Sequence, residues 1–119
     1  MIPMDYKSPI HPQFYEDCSK VTRDYERLWG RWSDDSQLLH IITEIAELKD
    51  VLRNKKNKYG MYGSNEHLLK LHDELADVFL TAIATADFLG VSIEDLNIAI
   101  MTKLAEVENR VKELAKPQV

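Results

Sequence analysis

The stretch DELADVFLTAIATADFLG, Asp73 to Gly90, decides the fold. From Leu75 to Leu89 its only polar residues are Asp77, Thr81, Thr85 and Asp87. The run is too long and too rich in alanine for a strand, so it predicts a helix. A helix apolar almost all round is buried, either in its own chain or in an oligomer interface. At 100° per residue, Glu74, Asp77, Thr81 and Thr85 fall within about 80° of one another. They form one narrow polar stripe on a helix that otherwise belongs inside. Burying an unpaired carboxylate costs several kcal/mol or shifts its pKa until it is neutral. Two carboxylates one turn apart on such a helix therefore need a cation.

Outward from this helix, placed over residues 65–89, Gly90 reads as its C′ glycine. Ser92 and Asp95 then form a Ser-x-x-Asp sequence resembling a capping box. A further helix follows over residues 93–115 and stops before Pro117. On the other side, NKKNKYGMYGSN (residues 54–65) is polar and glycine-containing and reads as a loop, long enough to suggest a functional or mobile role. Before it, Leu38, Ile41, Ile42, Ile45, Leu48 and Leu52 make the apolar stripe of a helix over residues 36–53. Ser33, Asp34, Asp35 and Ser36 all suit its N-cap. Phe14, Cys18, Val21, Tyr25 and Leu28 recur at steps of three and four and predict a helix over residues 13–29. Pro3, Pro9 and Pro12 make residues 1–12 an extended lead-in. The expectation is an all-α protein: one domain over residues 13–116, a four-helix bundle of antiparallel helices.

The chain has 119 residues, 45% of them hydrophobic, which suits a single domain with a core. A domain this short buries a limited share of its surface, so subunit association is expected. The net charge of -5 argues against a DNA or RNA binder and against an anionic-membrane binder, since each needs a basic face. No apolar run reaches the roughly 18 residues of a membrane helix, and the N-terminus lacks the apolar core of a signal peptide. Cys18 is the single cysteine, so no intrachain disulfide forms, and a reducing cytoplasm is the expected location.

Glu44 and Glu47 supply a second acidic pair. They are three apart on the helix over residues 36–53 and so are surface neighbours. Glu44 borders the apolar stripe, whereas a simple helical wheel turns Glu47 outward. Alone, the pair reads as an ordinary solvated acidic edge. Together with Glu74 and Asp77 it reads differently. Two such pairs on successive helices face each other across an antiparallel hairpin, and four carboxylates then surround a space several ångströms wide. An all-oxygen, highly anionic set selects hard cations, chiefly Mg²⁺ with Mn²⁺ as substitute, over Zn²⁺. A di-iron bundle would want Glu-x-x-His pairs, and none occurs. Nor does the sequence hold a P-loop, a Ser-His-Asp set or zinc-ligand spacing.

These residues resemble a known family. EIAELKDVL (Glu44 to Leu52), followed by DELADVFL (Asp73 to Leu80), is similar to the MazG-like nucleoside triphosphate pyrophosphohydrolases. These belong to the all-α NTP pyrophosphatase superfamily, with the dimeric dUTPases and the phosphoribosyl-ATP pyrophosphohydrolases. The family signature is ExxE, a variable spacer, then ExxD. Here it reads Glu44-Ile45-Ala46-Glu47 and Glu74-Leu75-Ala76-Asp77, and the similarity runs from about Leu38 to Val111. It implies a helical bundle that assembles into a homodimer or homotetramer. It implies hydrolysis of an NTP or dNTP to the monophosphate and pyrophosphate, with a house-cleaning role against non-standard nucleotides in prospect. Glu44, Glu47, Glu74 and Asp77 would be the metal ligands, with Glu44 or Glu47 taking a proton from water.

Other residues fit around this expectation. Lys103 and Arg110 are seven apart beside the apolar stripe of the last helix, where cations could hold phosphate oxygens. The family often carries Lys, Asn and Arg there, and Glu106 stands at one intermediate position. Trp29 and Trp32 flank the start of the helix over residues 36–53. They are placed like aromatics that stack on the base in some relatives, and equally suit core or interface packing. Lys55, Lys56 and Lys58, with Tyr59 and Tyr62, lie on the loop, either solvated or closing over a triphosphate. His40, one turn before Glu44, reads as a neighbour of the ligands or a surface residue. The alternatives are a phosphoribosyl-ATP pyrophosphohydrolase, a dUTPase-like enzyme, or a non-catalytic helical dimer that binds a metal.

Overall fold

The computed structural model describes residues 8–117. Four helices follow one another: α1 (Pro12–Trp29), α2 (Asp34–Arg53), α3 (Asn65–Phe88) and α4 (Ile93–Ala115). No strand occurs among the described residues. No helix among them is long and apolar enough to cross a membrane. Residues 1–7 of the expected lead-in lie outside the described residues.

The helix ends follow local chemistry. Ser33 is the cap that α2 uses, accepting from the Ser36 N–H at 3.2 Å, and Asp34 and Asp35 occupy the first turn, where the helix dipole favours negative charge. Ser64 and Ser92 cap α3 and α4 in the same way, the latter accepting from the Asp95 N–H at 3.1 Å. Gly90 takes φ +76° just past α3, and the Val91 N–H returns to the Ala86 carbonyl at 2.9 Å, closing the last turn as a C′ glycine allows.

α2 and α3 are antiparallel. The His67 ring bonds the Val51 carbonyl at 2.7 Å, Glu44 lies beside Glu74, and Gln37 donates to the Thr85 hydroxyl at 2.9 Å. Partners thus run up one helix as they run down the other. The seam between the two helices is polar: Gln37, His67, Glu74, Thr81 and Thr85 are all buried. The stripe foreseen from the sequence therefore packs toward α2. Of the apolar residues of α2, Val51 is buried and Ile41 and Leu48 half-buried, but Ile42 is 60% exposed and Ile45 49%. Buried polar groups need partners, and the facing helix supplies them for His67 and for the Gln37–Thr85 pair. Several apolar side chains, Ile42 and Ile45 among them, consequently face outward from the hairpin.

α1 crosses back along the far half of α3, tied by Ser19 to Asp87 at 2.7 Å and by the Tyr15 hydroxyl to the Val91 carbonyl at 2.6 Å. A small core of Ile10, Tyr15 and Ile83 sits there, with Ile93, Leu96 and Ile100 of α4 packed against it. The end of the lead-in is docked, which the sequence did not suggest. The buried Asn97 amide accepts from the Ile10 N–H at 3.0 Å and donates to the Ile10 carbonyl at 2.9 Å. Asn97→Ala strands both backbone groups, and urea unfolding should show a loss of about 2–4 kcal/mol. Only the start of α4 is held this way. From Ala105 to Pro117 every residue is exposed.

Candidate metal centre

Glu44 from the middle of α2 meets Glu74 and Asp77 from the middle of α3. One oxygen from each lies within 4.8 Å of the others. Glu74 is buried and the other two half-buried. Glu44 Oε1 takes the His40 ring at 3.2 Å, and Glu74 Oε1 takes the Lys70 ammonium at 3.0 Å. The second oxygen of each, Glu44 Oε2 and Glu74 Oε2, is buried with no hydrogen-bond partner. Two buried anionic oxygens without a donor are costly, and a cation between them removes the cost. Burial, and then the neighbouring Glu44 charge, pushes the Asp77 carboxyl above its ordinary range. The donor set is all oxygen, so the residues present fit a hard divalent cation.

Glu47 stands outside this group of three. It is exposed, as the helical wheel indicates, and lines an open cleft with Asp50, Tyr59, Lys70 and Glu74. The charge of Glu44 is the main influence that pushes its carboxyl up, with Glu74 and Asp77 adding to it. It therefore feels all three of the other acids from the rim.

On the other side of the carboxylates is an apolar cleft of about 290 Å³ between α1, α2 and α3, lined by Tyr25, Trp32, Gln37, His40, Ala84 and Phe88 among others. Trp32 meets the His40 ring edge-on at 5.0 Å and Tyr25 at 6.3 Å. Trp32 thus touches the residue that holds Glu44. Trp29 does not join it: it is 74% exposed at the end of α1 and is not part of the lining. Arg31 stacks over Phe88 at 4.2 Å and bonds its carbonyl, fixing the link between α1 and α2 beside the cleft.

Lys103 and Arg110 are not brought to the carboxylates within the chain. Both are exposed on α4, and Lys103 pairs with Glu106 at 2.8 Å. The cation that does reach the site is Lys70. It is four residues before Glu74, a spacing that places two side chains one above the other on a helix and was readable from the sequence. Lys58 and Tyr59 of the loop also approach. The Tyr59 hydroxyl donates to Asp50 at 2.5 Å and Lys58 lies 3.7 Å from the same carboxylate. No sequence periodicity reports that contact, because a loop makes it. Lys55 and Lys56 remain exposed, and Tyr62 stacks on the buried His67 at 4.9 Å.

A family model described as the MazG nucleotide pyrophosphohydrolase domain matches residues 33–112. The match begins at the N-cap of α2 and takes in all four acidic positions. No curated protein and no solved structure gives a match.

Proposed function

The chain belongs to the MazG nucleotide pyrophosphohydrolase family, and from that premise we propose that it is a Mg²⁺-dependent enzyme that hydrolyses nucleoside triphosphates, NTP or dNTP, to the monophosphate and pyrophosphate. One observation carries the proposal: three carboxylates converge within 4.8 Å, and two of their oxygens are buried without a partner.

Glu44, Glu74 and Asp77 would hold the ion. When bound, Mg²⁺ neutralises phosphate charge and makes a coordinated water more acidic. The protein's own groups divide the remaining work. Glu47 is the water-accessible acid at the rim, and the surrounding negative charge raises its basicity. It is the group best placed to accept a proton from attacking water, and it also completes the acidic set of four. His40 orients Glu44. Trp32, with Tyr25 beside it, offers a base a stacking surface worth about 1–3 kcal/mol. Lys103 and Arg110, distant within one chain, would serve phosphate only if a second subunit carries its α4 to this site.

That arrangement fits a homodimer or homotetramer, acting in the cytoplasm with no nucleic acid or membrane partner. A house-cleaning role against non-standard nucleotides is part of the proposal and rests on the family alone. The test is a panel of ribo- and deoxyribonucleoside triphosphates with Mg²⁺ or Mn²⁺, read as pyrophosphate release. At least one member should be turned over to its monophosphate. Silence across the whole panel sinks the proposal. Calorimetric binding of the metal without any nucleotide would then favour a non-catalytic metal-binding dimer.

A further inference from the structure

The α2–α3 hairpin carries three zones in line. At the start of α2 and the end of α3 is the apolar cleft, with Gln37 and His40 opposite Ala84 and Phe88. In the middle are the carboxylates. At the end of α2 and the start of α3 is a polar cleft bounded by Asp50, Tyr59 and Lys70, which continues past Tyr59 to Lys58. At 1.5 Å per residue, His40 to Glu44 spans about 6 Å and Glu44 to Asp50 about 9 Å. The two outer zones are thus separated by the length of an extended nucleoside triphosphate. They differ in chemistry as its two ends do, since one is apolar and aromatic and the other holds cations.

We infer that the loop over residues 54–63 is the seat of the leaving pyrophosphate, with Lys58 its contact residue. The inference rests on the proposed reaction and gives it a direction. If the α-phosphorus is at the carboxylates and the base is against Trp32, the β- and γ-phosphates fall on the loop side. The cations there are Lys58 and Lys70, and the acids facing them are Asp50, Glu66 and Asp73. Lys58 is not locked in place. It is 67% exposed, and its 3.7 Å pairing with Asp50 is the weak kind found in open water. Lys70 is held by Glu74 Oε1 at 3.0 Å, and the oxygen left for a cation is Oε2, so Lys58 is the cation free to turn to a ligand. A pyrophosphate group, with several charged oxygens, outcompetes the single solvated carboxylate of Asp50 for Lys58.

The loop is built to hold one shape. Asn54, buried and left-handed at φ 46°, accepts from the Tyr59 N–H and donates to the Gly60 carbonyl, both at 2.9 Å. Asn57 also has positive φ, as asparagines readily do, and so does Lys56, where a lysine adopts it at a cost. Gly60, at φ +87°, leaves no room for a Cβ, which would lie 2.7 Å from Glu66 Oε2. Asn54 thus ties the loop back to the end of α2 and holds it against the polar cleft.

The experiment uses the whole protein with Mg²⁺, and inorganic pyrophosphate, inorganic phosphate and a nucleoside monophosphate as probes. Calorimetry reads affinity, and limited trypsin digestion reads cleavage at Lys55, Lys56 and Lys58. Pyrophosphate should bind and slow cleavage of the loop, whereas the monophosphate should leave cleavage unchanged. Lys58→Met should weaken pyrophosphate about tenfold, raise KM for the triphosphate more than it lowers kcat, and leave monophosphate affinity and thermal stability as they were. Unchanged pyrophosphate affinity in Lys58→Met, or a loop cut equally fast with and without pyrophosphate, overturns the inference while turnover by the unsubstituted protein leaves the reaction standing. Absence of turnover alongside loop protection would instead refute the reaction and keep the anion seat.

Discussion

Asp77→Asn should reduce pyrophosphate release by about 10³-fold or more, a barrier increase of about 4 kcal/mol, while leaving the metal-free protein at least as stable as before. Both halves follow from one geometry. Asp77 offers an oxygen to a group in which Glu44 and Glu74 already contribute buried, partnerless oxygens. An amide keeps the shape but supplies a neutral oxygen, so the hold on a divalent cation falls. Without the cation, the charge of Asp77 is a liability. Burial and the Glu44 carboxylate raise its folded-state pKa above the ordinary value. A carboxyl raised in this way binds its proton more tightly in the native state than in the unfolded chain. Its contribution to stability is therefore most favourable below the unfolded pKa and declines as pH rises through the folded value. In chelator, the unsubstituted protein should lose Tm across that window, and Asp77→Asn should lose less. Added Mg²⁺ should raise the Tm of the unsubstituted protein by mass action and leave the variant unmoved. Full turnover in Asp77→Asn, or an equal Mg²⁺ response, refutes the assigned site.

The second large effect concerns assembly. Leu75→Glu with Phe79→Glu should convert a sedimenting homodimer or tetramer into monomers that melt earlier and less cooperatively. The two residues stand one turn apart on α3 and are 57% and 52% exposed. They belong to an apolar exterior that also includes Ile42 and Ile45 of α2. Removing such a side chain from water is worth about 1.5–3 kcal/mol, and the chain alone forgoes this several times over. Its dimensions agree: the radius of gyration is 18.1 Å, against roughly 13–14 Å for a compact chain of this length. Two buried glutamates per subunit are not compatible with an apolar interface. If the unsubstituted protein sediments as a monomer and the double variant melts with it, the argument fails.

How much of this was legible in the sequence varied with the distance over which each feature is decided. Helix ends are local, and Ser33, Ser92 and Gly90 marked them within a residue or two. The polar stripe of Glu74, Asp77, Thr81 and Thr85 was legible because four charges and hydroxyls on an apolar helix require an explanation that periodicity can locate. The outward turn of Glu47 followed from the same wheel. What periodicity does not say is which neighbour covers a face. The apolar stripe of α2 was evident, yet much of the seam with α3 went to polar residues, and Leu38, Ile42, Ile45 and Leu52 of the stripe were left exposed. Lys103 and Arg110 were sensible phosphate ligands by spacing, but spacing does not tell where α4 lies. The Asn97 clamp on Ile10 joins residues 87 apart, and the Tyr59–Asp50 bond depends on loop shape. Both arise only once the chain has folded.

The free half of α4 has a consequence for how order is distributed. Residues 105–115 continue a regular helix although every one of them is exposed among the described residues. A segment of that length cannot stay helical in water on its own propensity, because nucleation is unfavourable and propagation gains little per residue. Its order is borrowed from the anchored turns at Ile93–Ile100 and must fade with distance from them. The far end of α4 thus acts as a gauge whose amide exchange is fast in a lone protomer and slow where another surface lies against it. Association that covers this end would be recorded there as secondary structure gained.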